Sequence, residues 1–168
     1  MQRPTGVLEQ LDHEWDDIAR SLRGRRGLQR WWDQDEALRD FATLDAVLAH
    51  VNQRGQMDRS DRVLLRLLEL APDDDLAART VLQAMMPAMK RMASTFSTCG
   101  AWSAEETAAV VVAAMWDRIR TYPVERRVRK VSANLALDTR QKVWRTGMKQ
   151  VHGRCPRPGH PELEQRSA

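Results

Sequence analysis

Val124-Glu-Arg-Arg-Val-Arg-Lys-Val-Ser-Ala-Asn-Leu-Ala-Leu-Asp-Thr-Arg-Gln-Lys-Val-Trp-Arg145 is the stretch on which the fold and the function of this chain turn. At about 100° per residue, Val124, Val128, Val131 and Leu135 share one narrow sector of a helix, which predicts a buried stripe. Nearly opposite lie Arg127, Lys130, Asn134, Gln141 and Arg145, flanked by Arg126, Arg129 and Arg140. Leu137 and Trp144 fall near that outer face. The spacing therefore predicts a long last helix, from about Glu125 to Lys149, with one side packed and the other cationic. Asn134 and Gln141 can pair with base edges while the arginines and lysine hold phosphates. Trp144 is placed either to stack on a base or to close the helix end against the body.

The charge of the whole chain points the same way. Its 168 residues carry a net charge of +4, but residues 1–117 hold 14 basic and 19 acidic side chains, against 13 and 4 in residues 118–168. A split this sharp suits a C-terminal third that meets a polyanion. Only four of the basic residues are lysine, and guanidinium presents a planar fork to phosphates and base edges. At 42% hydrophobic and 30% charged residues the chain can build both a core and a wet surface, so disorder throughout is excluded. No apolar run is long enough to span a bilayer. The opening residues lead into a charged segment rather than a secretory leader, and Cys99 and Cys155 make no disulfide framework. A cytoplasmic protein is expected.

The rest of the chain up to about residue 150 also reads as helix, and no stretch alternates as a strand would. Val7, Leu8, Leu11, Trp15, Ile18, Ala19 and Leu22 form a first stripe, which Gly24 and Gly27 are expected to interrupt. Leu38, Phe41, Leu44, Val47, Leu48 and Val51 form a second. Ser60-Asp61 is read as the cap of a helix carrying Val63, Leu64, Leu67 and Leu68, which Pro72 ends. Asp73-Asp74-Asp75 caps the next, where Pro87 should kink or split the run from Leu76 to Phe96. Ser103-Ala-Glu-Glu106 is a capping box opening an apolar helix to about Ile119, and Tyr122-Pro123 breaks the chain again. The tail from Gly153 has too little apolar content to fold.

Other chemistry is poorly supported. His152, Cys155 and His160 fall short of the four ligands zinc prefers, so no metal and no cofactor are expected. Gly24-Arg-Arg-Gly27 lacks the Lys-Ser/Thr of a phosphate loop. No nucleophile and base pair, and no two carboxylates with split roles, can be placed together, so the chain is not expected to be an enzyme.

Three segments in order resemble region 2 of the bacterial sigma-70 family, nearest its compact extracytoplasmic-function group. Asp75 to Ala93 is similar to the first helix of that region. Ala104 to Ile119, with Trp116 near its end, is similar to the second, and Val131-Ser-Ala-Asn-Leu-Ala-Leu-Asp-Thr-Arg140 to the promoter-reading helix. The helical periodicity makes the chain all-α, and the resemblance, which covers roughly residues 60–146, implies a region-2-like helical bundle over 60–149, with 1–59 as an N-terminal helical extension and 150–168 as a flexible tail. It implies that Asn134 contacts an unpaired base of a −10-like promoter element, that Arg127, Lys130 and Arg145 hold nearby backbone, and that Tyr122 stacks beside a flipped base. It further implies docking of the second helix, through Glu105, Glu106, Ala109, Val112, Ala113 and Trp116, on the β′ clamp helices of core RNA polymerase. The 23 residues after Arg145 are too few for the family's region 4 and its linker. A DNA-binding transcription regulator is thus the first expectation. Ala109 and Val110 stand where the family often has Gln-Glu, which motivates an alternative: a module binding polymerase or another regulator without reading DNA.

Overall fold

A computed structural model of the chain describes residues 6–149. Among the described residues there are nine helices and no strand: α1 (Val7–Arg20), α2 (Leu22–Gln34), α3 (Glu36–Arg39), α4 (Leu44–Val51), α5 (Met57–Leu70), α6 (Asp75–Ala84), α7 (Met86–Ser97), α8 (Ala104–Arg120) and α9 (Val131–Met148). The all-α expectation holds. The tail from Gly153, with His152, Cys155 and His160, lies outside the described residues. No described helix is long and apolar enough to cross a membrane.

The α8 helix organises the packing. Val111, Met115 and Ile119, one turn apart, are fully buried on it. It lies most extensively against α7 and α9 and also meets α6 and α1. On α9 the buried stripe is Val131, Leu135, Thr139 and Val143, all at 0% exposure. Each such aliphatic side chain contributes about 1.5–3 kcal/mol by leaving water. Thr139 meets its hydroxyl's need within this seam, donating to Met115 Sδ at 3.4 Å. The N-terminal helices share the same core, which runs from Trp15 through Leu28, Trp31 and Leu67 to Val143.

Indole and guanidinium groups pin the early helices in place. Trp15 Nε1 donates to Asp45 at 3.0 Å, Trp31 Nε1 to Asp74 at 2.9 Å, and Trp32 Nε1 to the Phe41 carbonyl at 3.1 Å. Arg79 is nearly buried; it reaches from α6 to the Leu11 carbonyl at 2.6 Å and lies over the Trp15 ring. Burial pushes its guanidinium below the ordinary value, and Glu14 and Asp12 oppose that shift.

Several local signals act as read. Asp74 caps α6 by accepting from Leu76 N and Ala77 N. Ser103 and Glu106 close a reciprocal capping box. Pro87 splits the run from Leu76 to Phe96 at Met85, leaving Pro87 in the first turn of α7 where its missing N–H is harmless.

Four expectations are corrected. The first break falls at Ser21, which caps α2, and Gly24 and Gly27 lie inside α2. A Cβ on Gly24 would come within 2.3 Å of the Ile18 carbonyl oxygen, so the glycine marks a close approach of α1 and α2. Gly24→Ala is accordingly expected to cost about 2 kcal/mol, read as a lowered Tm; an unchanged Tm would show that the two helices separate freely. The second stripe divides into α3 and α4, because Thr43 caps a new start. Ser60 and Asp61 lie inside α5 and are buried, with Ser60 Oγ donating to the His50 carbonyl.

The fourth correction concerns the decisive stretch. Its helix begins at Val131 rather than at Glu125, and residues 121–130 form an irregular turn. Val131 and Leu135 are buried as expected, but Val124 is half-buried and Val128 is 52% exposed. The cause is Asp61. Its carboxylate accepts from Lys130 N at 2.7 Å and Val131 N at 2.8 Å, capping α9 from α5. Lys130 adopts a left-handed conformation, φ 53°, to present that amide. This backbone state costs a non-glycine residue about 1 kcal/mol, which the two charge-assisted bonds offset.

Candidate nucleic-acid interface

The turn between α8 and α9 is held by a polar network. Tyr122 OH donates to the Arg127 carbonyl at 2.8 Å. Asn134 Nδ2 donates to the Arg129 carbonyl at 2.9 Å and lies 3.4 Å from Tyr122 OH. Asp138 is the anchor for two cations: Arg118 Nε donates to it at 2.8 Å and Arg127 at 2.5 Å. Arg118 also lies over the Tyr122 ring, 5.6 Å from its centre. Asn134 is half-exposed and its Oδ1 carries no hydrogen bond among the described residues, leaving an acceptor free for a base amino group.

This arrangement sorts the expected DNA contacts into three groups. Arg126, Arg129 and Lys130 are exposed on the turn and form no ion pair among the described residues. Their positions come from the turn and not from helical periodicity. Arg127, Gln141 and Arg145 line an open cleft of about 420 Å³ between α8 and α9, together with Arg118, Lys142, Asp117 and Asp138. There Arg127 is committed to Asp138, and Lys142 is paired with Asp117. Tyr122, Trp144 and Arg140 stand apart. Tyr122 is 7% exposed, so in this arrangement its ring packs rather than offering a stacking face. Trp144 is half-buried against the core, and its Nε1 is buried without a partner among the described residues. Arg140 points to the opposite flank of α9, toward α7.

Sequence reasoning passed over Arg118, Lys142 and Asp138, and read Asp61 only as a cap of its own helix. Lys142 carried a signal, since it falls in the same basic run. Asp61 and Arg118 carried none, because their partners lie 69 and 20 residues away.

On α8, Glu105, Ala109 and Ala113 are exposed, while Val112 and Trp116 are half-buried. Glu106 is also exposed, but its carboxylate accepts from Ser103 N at 2.8 Å. Those bonds to Ser103 hold it below its ordinary pKa of 4.5. Trp116 lies beside Ile18 of α1 and Leu76 of α6 around a 250 Å³ pocket, and Arg120 lies over its ring. The end of the expected polymerase-docking strip is therefore bordered by the N-terminal helices. Among the described residues no three His, Cys, Asp or Glu side chains are grouped to hold a metal.

Comparison with known proteins finds no matching family model, no matching curated protein and no matching solved structure.

Proposed function

We propose that the chain is a DNA-binding transcription regulator, built like sigma-factor region 2, that contacts −10-like promoter DNA through the turn at 121–130 and the start of α9. The observation that carries this proposal is the set of three exposed cations, Arg126, Arg129 and Lys130, unpaired among the described residues and standing beside the Asn134 acceptor that no described residue engages. Cations without carboxylate partners are available to phosphates, and an amide acceptor beside them can meet a base edge once pairing is lost. Core RNA polymerase is the protein partner that goes with this function, met through the exposed strip of α8. Asn134 is held by the Arg129 carbonyl and the Tyr122 hydroxyl, so its orientation does not have to be purchased on binding.

Fork DNA carrying an unpaired −10-like segment, labelled with fluorescein, tests the proposal in a salt titration. The expected result is an affinity that falls linearly with the logarithm of salt, with a slope set by about three to five phosphate contacts. The fork should bind more tightly than the same sequence fully paired. Binding that is indifferent to salt, or equal for fork and duplex, would overturn it. A nuclease-treated pull-down with core polymerase addresses the partner separately. Retention there together with no DNA binding would favour the protein-interaction module instead.

A further inference from the structure

On the flank of α9 away from the α8 cleft, α7 and α9 barely touch, although both pack closely on α8. The seam between them is an open groove of about 480 Å³. Met92 and Phe96 from α7 and Ala133 and Leu137 from α9 form its apolar floor, and Leu137 is 47% exposed. Arg91 stands on the α7 wall and Arg140 on the α9 wall, neither in an ion pair among the described residues. Among the described residues no carboxylate lines the groove. The α7 sequence contains no acidic residue. The only acid of α9, Asp138, is held by Arg118 and Arg127 on the cleft side.

We infer that this groove docks an acidic amphipathic helix of a partner protein. The inference goes beyond DNA binding and does not depend on it. Two helices splayed across a third leave the position a fourth helix takes in a bundle. A leucine row laid along the groove would cover the exposed Leu137 and Ala133 above the already buried Met92 and Phe96, and glutamates on its two sides would meet Arg91 and Arg140. Nucleic acid fits the groove less well than a helix does. Its floor is mainly apolar, and Thr95, which also lines it, already donates to the Arg91 carbonyl, so base edges laid there would find few hydrogen-bond partners.

The probe is a fluorescein-labelled peptide of about four helical turns, with leucine at i, i+3, i+4 and i+7 and glutamate on either side. Its anisotropy should saturate in the micromolar range with the full chain. Leu137→Ser, and separately Arg91→Glu with Arg140→Glu, should each weaken binding by about tenfold or more. Both variants change exposed or half-exposed residues, so circular dichroism should show an unchanged fold. The Met92 methyl resonance provides a second measurement, since it should shift on titration with the acidic peptide. Equal binding of a version with lysine in place of glutamate would overturn the proposal. So would unchanged affinity in both variants together with a motionless Met92 signal. Self-association of the chain that Leu137→Ser abolishes would make the occupant a second copy and sink the inference. Loss of fork-DNA binding in Leu137→Ser as large as its loss of peptide binding would sink it as well, by making the groove a nucleic-acid surface.

Discussion

Replacing Asp61 with alanine is expected to destabilise the fold by about 3 kcal/mol, lowering Tm by about 10 °C. The carboxylate is 5% exposed and accepts from the amides of Lys130 and Val131, two of the free donors at the start of α9. Alanine leaves both donors without a partner and removes the interaction that offsets the left-handed backbone at Lys130. Asp61→Asn keeps an acceptor but loses the charge, so about half the effect should remain. The damage should also be local. Arg126, Arg127, Arg129 and Lys130 lie in the turn this cap secures, and trypsin should cut there in Asp61→Ala well before it cuts the parent chain. If the variant melts with the parent and resists trypsin equally, Asp61 is not what fixes the start of α9.

The same residue shows where sequence reasoning reached and where it stopped. Helix ends set by neighbours a few residues away were readable: the Ser103 and Glu106 box, the Asp74 cap and the break near Pro87 all follow from local chemistry. The start of α9 was not, because no glycine or proline lies between Val124 and Val131 and the periodicity runs on through the turn. What ends it is a carboxylate 69 residues earlier in the chain. The buried half of α9 was legible in Val131 and Leu135, and the outward placement of Asn134 followed from the same count. The pairing of Asp138 with Arg118 and Arg127 was not legible, since ion pairs that reach α9 from α8 and from the turn leave no helical spacing to detect. Val128 misled for a related reason: an apolar residue in register with a stripe need not be on a helix at all.

Changing Arg126, Arg129 and Lys130 together to alanine is expected to weaken fork-DNA binding by about thirtyfold at moderate salt. The slope of log affinity against log salt should become shallower by about two units, because three counterion-releasing contacts are removed. All three side chains are exposed and unpaired among the described residues, so Tm should stay close to that of the parent. Restoring charge with lysine at 126 and 129 should recover most of the slope, which separates a phosphate contact from a geometric role of guanidinium. Asn134→Ala should instead leave the slope unchanged and reduce the preference for the unpaired sequence. A triple variant that binds as tightly as the parent across the titration would move the interface elsewhere.

The reach of Asp61 to the start of α9 constrains any attempt to dissect the chain. A fragment trimmed to begin at residue 60 would sever α5, which starts at Met57, within its first turn. Asp61 would then sit on a frayed end, too loose to serve as a fixed receptor for Lys130 and Val131. The excised piece would keep every residue of the basic turn and still lose its shape, so a failed binding assay on such a fragment would report the cut rather than the chemistry.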